Sequence, residues 1–488
     1  LSRWHLELSL PDSDAPLFLR IARAVADAIR SGRVSPGGKL PGTRTLARAL
    51  GVHRNTVTAA YAELLQEGWI EARRGSGTTV SRHLPLIEHQ PRSPAQVTGT
   101  GFDLQPGTRP FADEPLEPGL LKWDFGLPDV RLAPVKPLLR ELRRTIVTGG
   151  EGVLQYLRYG ARRLSNLQRE LAHMLNSLRG CQVVPEQIVL TQGSQMGLYL
   201  TARALLRPGD VVAVEDPSYP IARSTFEYVG ARVAPIPVDD EGLRVDALQQ
   251  LVTTTPVRAV YVTPHHQFPT TVVLSAARRL ALSRLCSHHR IALIEDDFDH
   301  DFHYEGRPLL PLLSTEVSPN VIYLGSLSKL LAPGLRVGYL VARPEVAAVI
   351  AGLRQLVDIQ GSELLHAPIA ALLEDGELQR HLNRARLVFK ARRDFLMSTL
   401  ERRLGHVLDW QTPAGGLAVW VRCRGVDVEQ WRAAARQRGL LVRTGGLFFF
   451  DGRPRPFLRL GFARLSEREL DQATELLARS LPRKVAPR

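Results

Sequence analysis

The chain has 488 residues, room for roughly three domains of about 150 residues each and for at least one large buried core. Hydrophobic residues make up 44% and charged residues 23%, which excludes a disordered chain, and no apolar run approaches the roughly 20 residues a membrane helix needs. Lys and Arg number 63 against 49 Asp and Glu, a formal charge of +14 that permits an anionic partner such as DNA, although an arginine-rich composition alone produces the same figure. Three widely separated cysteines, Cys181, Cys286 and Cys423, exclude a disulfide framework and a CxxC metal site. The opening stretch LSRWHLELSLPDSD has no signal-peptide apolar region, so a cytoplasmic protein with no membrane partner is expected.

Leu17, Ile21, Ala24, Val25, Ala28 and Ile29 recur at helical spacing and predict a first helix, broken at Gly32 and Pro36. A short helix fits 43–50 (TRTLARAL) and is stopped by Gly51. Another begins near Arg54 and is expected to bury Val57, Ala60, Tyr61, Leu64 and Leu65. Two helices joined by the three-residue turn GVH make a helix-turn-helix, and WIEARR, the turn GSG and TTV add a hairpin placed like a wing. Read functionally, the Arg54, Asn55 and Thr56 end of the second helix enters a major groove, where Arg and Asn reach guanine and adenine edges bidentately. Thr43, Arg44, Arg73 and Arg74 would then contact phosphates. The bland alternative is a small helical domain with solvated arginines. RRGSGTTV is not a phosphate loop, because no strand precedes it and no helix follows it. From GGKLPGTRTLARAL to RRGSGTTV the stretch closely resembles the winged helix-turn-helix of GntR-type bacterial regulators, over about residues 14–82. That resemblance implies a domain at 1–80 that binds double-stranded operator DNA.

Residues 81–118 carry seven prolines and little periodicity, which reads as an extended linker. Beyond it, IVLT (188–191), VVAVE (211–215), RVAPI (232–236), RAVYV (258–262), IALIE (291–295), VIYL (321–324) and VGYLV (337–341) alternate with helical segments. Seven such strands predict a mostly parallel α/β sheet with helices on both faces. From about 365 the helices lengthen, suggesting a smaller α+β lobe. The body is thus expected at 119–488, with a large lobe over about 160–360 and a small lobe from about 119–159 plus 361–488.

Lys329 is the only lysine between Lys136 and Lys390, and it ends a Ser-x-Ser-Lys turn after a strand. A lysine there can form a Schiff base with an aldehyde cofactor, while Ser326, Ser328 and Arg336 can hold a phosphate. A salt-bridged surface lysine is the bland reading. The remaining motifs fit a pyridoxal phosphate site. TQGSQMGLYLTARAL sets Gly193, Ser194 and Gln195 between a strand and a helix N-terminus, where backbone N–H groups favour phosphate. EDPSYP offers Tyr219 to stack on a pyridine ring, and TPHHQFPT would line the same crevice. IALIEDDFDHDF puts Asp296 at a strand end, where a carboxylate can pair with the pyridinium nitrogen. Each alone reads equally as a cap or loop residue; their order together does not. The groups Asp296, Asp297, Asp299, His300, Asp301, His303 and Glu305 invite a metal reading, but alternate strand residues face opposite ways and cannot all converge on one ion, so no metal is expected.

On these motifs, residues from about 120 to 480 resemble the fold-type I aminotransferases, and the whole chain resembles the MocR-type branch of GntR regulators, a winged helix-turn-helix fused to an aminotransferase-like domain. The resemblance implies that Lys329 binds the cofactor covalently and that Asp296 partners the pyridinium. It assigns Ser194, Gln195, Ser326 and Arg336 to the phosphate, Tyr219 to stacking and Arg459, in FLRLGFAR, to a substrate or effector carboxylate. Tyr159, in LRYG, would reach the partner subunit's cofactor, which implies a homodimer. Three positions depart from the family pattern: Phe298 replaces a tyrosine, Phe268 an asparagine of true aminotransferases, and YGARRLSNLQRE lacks the usual Asp-Pro-x-Gly. The first two remove polar contacts to the cofactor's phenolate oxygen. Two functions follow as expectations: a regulator sensing a small amino compound through external aldimine formation, or a working aminotransferase with an accessory DNA-binding domain.

Overall fold

Three helices of the N-terminal unit, α1 (Leu17–Arg30), α2 (Thr43–Leu50) and α3 (Arg54–Gln66), each turn one apolar stripe onto a shared core that includes Ile21, Val25, Leu46, Val57, Tyr61 and Leu64. Helix α2 stops at Gly51, whose φ of 65° is the left-handed conformation that ends helices and suits glycine. The Tyr61 hydroxyl donates to the Pro41 carbonyl at 2.8 Å, so a core tyrosine satisfies its polar end while fixing the start of α2. Strands β1 (Ile70–Arg73) and β2 (Gly77–Val80) pair antiparallel with Ile70 opposite Val80, the expected wing. Leu65 does not join the core: it is 41% exposed, because it lies about 100° of arc past Leu64 on the same helix.

The computed structural model describes residues 8–10, 14–73, 77–84, 119–155, 164–306, 309–315 and 320–482, and the chain divides into two units, 1–105 and 106–488. Arg74, Tyr159 and all but the first four residues of the expected linker lie outside the described residues.

The body opens with β3 (Leu121–Lys122), α4 (Val135–Gly149) and α5 (Asn166–Arg179). Its large lobe then runs through β4 (Ile188–Thr191), α6 (Ser194–Leu205), β5 (Val211–Asp216), α7 (Pro220–Tyr228), β6 (Arg232–Asp239) and β7 (Gly242–Leu243). It continues with α8 (Val245–Thr254), β8 (Val257–Val262), α9 (Ala276–His288), β9 (Ala292–Asp297), β10 (Val321–Ser326), β11 (Gly338–Val341) and α10 (Pro344–Asp358). Across the sheet the order is β4-β11-β10-β9-β8-β5-β6-β7. From β10 to β6 every pairing is parallel, whereas β11 and β7 run antiparallel to their neighbours. All seven expected strands are present. The eighth, β7, is an edge strand of two residues, too short to leave a periodic signal.

Strand alternation sorts the sheet into two faces. Val212, Val214, Tyr261, Ile294 and Leu324 pack on one side with α6, α7 and α10. Ala213, Val260, Leu293 and Tyr323 pack on the other with α5, α8 and α9. Such near-continuous burial is why these strands read as unbroken apolar runs.

The remaining elements are α11 (Glu363–Glu374), α12 (Glu377–Leu404), β12 (Leu408–Trp410), β13 (Ala418–Cys423), α13 (Val428–Gln437), β14 (Leu440–Leu441), β15 (Phe457–Gly461) and α14 (Glu467–Arg479). Strands β12, β13 and β15 form an antiparallel sheet, and β14 pairs in parallel with β3. That pairing, with the Trp123 indole donating to Gly461 at 2.9 Å, ties the start of the body to its C-terminal lobe. Among the described residues no helix is long and apolar enough to cross a membrane.

Candidate functional site

The carboxyl end of β9 is the centre of the site. Asp296 shares the face of Ile294 and Tyr261, and its Oδ2 accepts a hydrogen bond from the Tyr261 hydroxyl at 2.7 Å. Its other oxygen, Oδ1, is buried with no hydrogen-bond partner. Burial pushes the Asp296 carboxyl up to about 7, against the opposing pull of Tyr261. A buried acceptor one donor short is the feature a pyridinium N–H completes, so the residues present fit a pyridoxal ring.

Lys329 follows β10 in the Ser-x-Ser-Lys turn. Burial lowers its amine below the ordinary lysine range, while Asp299, Asp124 and Asp296 partly offset that effect. The loops that follow the neighbouring strands carry a run of touching rings. Tyr219, at the start of α7, meets Phe268 edge-on at 5.3 Å between centroids, and Phe268 in turn meets Phe298 at 6.1 Å and Phe448 at 5.4 Å. The departures Phe268 and Phe298 therefore form one apolar surface.

At the N-terminus of α6 no side chain caps the first turn, because its N-cap is Gly193. Gly193 has φ 81°, and a Cβ there would lie 2.8 Å from Nη2 of Arg336, so only glycine admits this approach. Arg336 itself holds a left-handed φ of 51°, a strain of order 1–3 kcal/mol characteristic of functional positions, and donates to the Gln192 carbonyl at 3.2 Å. Open backbone donors beside a guanidinium make an anion site. Ser194 begins the helix there, and Ser326 ends β10 half-buried. Two expected ligands are engaged differently: the Gln195 side-chain amide donates to Thr225 Oγ1 at 2.8 Å, and the Ser328 hydroxyl donates to the Val337 carbonyl at 3.4 Å. Gln195 thus offers the site its backbone N–H, and Ser328 braces the turn.

Arg459 on β15 is buried, with its guanidinium carbon 4.4 Å above the Phe268 ring. Its Nε donates to the Phe125 carbonyl at 2.8 Å and its Nη1 to Pro269. Burial brings its pKa down to about 10, with Asp299 and Asp124 opposing, so it stays cationic at neutral pH.

Sequence reasoning missed Tyr261, Asp124 and the pair His266 and Asp299. Tyr261 reads as core within VRAVYV, yet a buried tyrosine hydroxyl needs a partner, and that need was the available signal. Asp124 accepts from the N–H groups of Gly126 at 2.8 Å and Leu127 at 2.6 Å, shaping the turn that carries Phe125. His266 Nδ1 lies 2.9 Å from Asp299 Oδ1. The acidic cluster divides as alternation requires: Asp296 faces Tyr261, Asp297 faces Tyr323 on the other side, Asp301 pairs with Arg179 at 2.7 Å and Glu305 with Arg393 at 2.6 Å.

In the N-terminal unit Arg44, Arg54 and Asn55 are exposed, and Thr43 and Thr56 half-buried. Arg54 Nε reaches Thr43 Oγ1 at 3.5 Å, which joins the first turns of α2 and α3, and the Asn55 N–H donates to His53 at the start of α3. Arg73 closes β1.

Residues 17–80 match bacterial regulatory proteins of the gntR family, and residues 150–477 match aminotransferase class I and II. The chain is 30% identical over 477 residues to the "probable rhizopine catabolism regulatory protein MocR" of Rhizobium meliloti, covering 96% of this chain and 94% of that one. It is 31% identical over 489 residues to the HTH-type transcriptional regulator TauR of Rhodobacter capsulatus, covering 96% and 98%. Among solved structures, LysN, the α-aminoadipate aminotransferase of Thermus thermophilus complexed with N-(5'-phosphopyridoxyl)-L-leucine, superposes with a TM-score of 0.69 at 29% identity, over 75% of this chain and 92% of that one. The head matches one family, the body another, and relatives joined in the same way span nearly the whole length. The chain belongs to the MocR-type GntR regulators, in which a DNA-binding head is fused to a pyridoxal phosphate-dependent aminotransferase fold.

Proposed function

We propose that this regulator reads operator DNA as a homodimer and senses a small amino compound through its cofactor. One observation carries the reading: the body keeps Lys329 and an orphaned Asp296 oxygen, but places Phe268 and Phe298, whose rings offer no hydrogen bond, where the family pattern has polar side chains. When bound, pyridoxal phosphate supplies an aldehyde that takes amines reversibly and a ring that draws electrons. Lys329 would hold it, Asp296 Oδ1 would accept its ring N–H, and Tyr219 would wall the ring. Ser194, Ser326, Arg336 and the first-turn N–H groups of α6 would receive the phosphate. Arg459 would grip the effector's carboxylate, if it has one, with a planar fork that Phe268 and the Phe125 carbonyl hold in place. Burial lowers the Lys329 amine, which favours the neutral form that would hold the cofactor's aldehyde and give way to an incoming amine. Phe268 and Phe298 supply no donor for the cofactor's phenolate oxygen, so the reading favours holding the effector over turning it over.

The rival, an aminotransferase with an accessory head, is favoured by the intact Lys329 with its depressed pKa, as a proton-shuttling base requires. The experiment screens amino compounds for a change in the bound cofactor's absorbance. Each hit is then assayed for keto-acid release and for affinity to a duplex selected by the protein from a random pool. An effector should change DNA affinity about tenfold, equivalent to about 1.4 kcal/mol of coupling, with little keto acid formed. Repeated turnover with unchanged DNA affinity would establish the rival instead.

A further inference from the structure

We infer that His265, Asp297 and His300 form a binding site for one divalent transition-metal cation, with zinc as the best match. Asp297 follows Asp296 on β9 and so faces the opposite side of the sheet from the cofactor groups. His265 Nδ1 lies 3.2 Å from Asp297 Oδ1, and His300 Nδ1 lies 3.3 Å from Oδ2. All three side chains are more than nine-tenths buried, and their ligand atoms lie within 4.8 Å of one another. The two imidazoles meet edge to face at 80°.

Three polar atoms of this cluster are left unmatched. Asp297 Oδ1, His265 Nδ1 and His300 Nδ1 are buried without a hydrogen-bond partner. His265 Nε2 faces the Leu309 carbonyl, which can only accept, so that nitrogen carries the ring's proton. In the neutral ring Nδ1 then carries a lone pair and has no proton to give the carboxylate oxygen 3.2 Å away. Two lone pairs at that separation repel, and a cation between them converts the repulsion into coordination.

The dimensions agree with such an ion. With bonds of about 2.0–2.2 Å to nitrogen and oxygen, neighbouring ligands of a tetrahedral ion stand about 3.3 Å apart; His265 Nδ1 stands 3.2 Å from Asp297 Oδ1, and His300 Nδ1 stands 3.3 Å from the other oxygen of the same carboxylate. The outer shell is also in place: a backbone carbonyl orients His265, and the Tyr323 hydroxyl donates to Asp297 Oδ2 at 2.5 Å. Arg179 approaches Asp297 at 3.5 Å, but its charge is already met by Asp301 at 2.7 Å, so the group keeps one net negative charge for the cation. Imidazole and carboxylate donors together suit zinc better than calcium or magnesium. The ion would clamp the loop after β8, which carries Phe268, to the strand end that carries Asp296 and Phe298.

The test uses the full-length chain loaded with its cofactor, freed of metal by a chelator and titrated with zinc chloride, then with cobalt(II) as a coloured substitute. One equivalent per chain should bind, and zinc-loaded crystals should show an anomalous-scattering peak between the two rings. His265→Ser and His300→Ser should each weaken binding at least tenfold and remove the cobalt bands. Equal binding by wild type and variants would overturn the proposal. So would a zinc-loaded wild-type crystal with no peak there, a result that does not depend on any variant folding.

Discussion

Asp296 holds one hydrogen bond where an ionised carboxylate accepts several. Burial raises it from an ordinary 3.8 to about 7, so in the cofactor-free chain folding takes up a proton between those values. The stability it contributes is complete below about pH 4 and lost as pH rises towards 7, with a slope of at most about 1.4 kcal/mol per pH unit for one proton. Denaturant unfolding of cofactor-free protein should therefore show stability falling across that interval. Asp296→Asn should lessen the fall; an unchanged slope would mean the carboxyl is not raised. Some slope survives, because burial also pushes Glu215 up to about 7 and Glu295 to about 8. The same residue marks the limit of what sequence discloses. Asp296 and Lys329 were legible because a strand end and a Ser-x-Ser-Lys turn flank them. Tyr261 was not, since the partner that gives it meaning lies 35 residues away and is brought near only by parallel pairing of β8 with β9.

At the scale of elements, α2 and α3 bring two kinds of contact to one place, with Arg54 and Thr43 touching across their first turns. Arg54→Ala should cost about 1–3 kcal/mol on the selected duplex and relax base preference there. Arg44→Ala should weaken binding to every sequence alike and flatten its salt dependence. Fluorescence anisotropy on selected and scrambled duplexes across salt concentrations separates the two. An Arg54 variant that loses affinity equally for both duplexes would move that residue to the phosphates. Helix bounds here were legible because Gly51 and the GVH turn punctuate them chemically. Leu65 was misplaced because periodicity states which stripe is apolar but not how far round the helix burial extends. The Gln195 amide turned to Thr225 for a related reason: the hydroxyl it meets belongs to a different helix.

For the whole molecule, the head's core draws only on residues between 8 and 84, and the body's two clusters draw on none of these. Leu64 is fully buried in the former, and Leu64→Ala should cost about 2–5 kcal/mol, a large share of a small domain's total of about 5–15. Calorimetry should show one unfolding transition moving down while the transition tracked by cofactor absorbance stays put; a joint shift would mean the two units melt as one. This division was legible from the change in composition after residue 80, whereas the subunit contact through Tyr159 rests on resemblance and lies outside the described residues. Separate cores also have a genetic consequence. An allele whose head cannot fold still encodes a body that closes on its own residues, so in a cell carrying both alleles the damaged product would pair with intact subunits and leave each mixed dimer one head short. Such lesions would behave as dominant, while lesions that unfold the body would leave a head unable to pair and would behave as recessive.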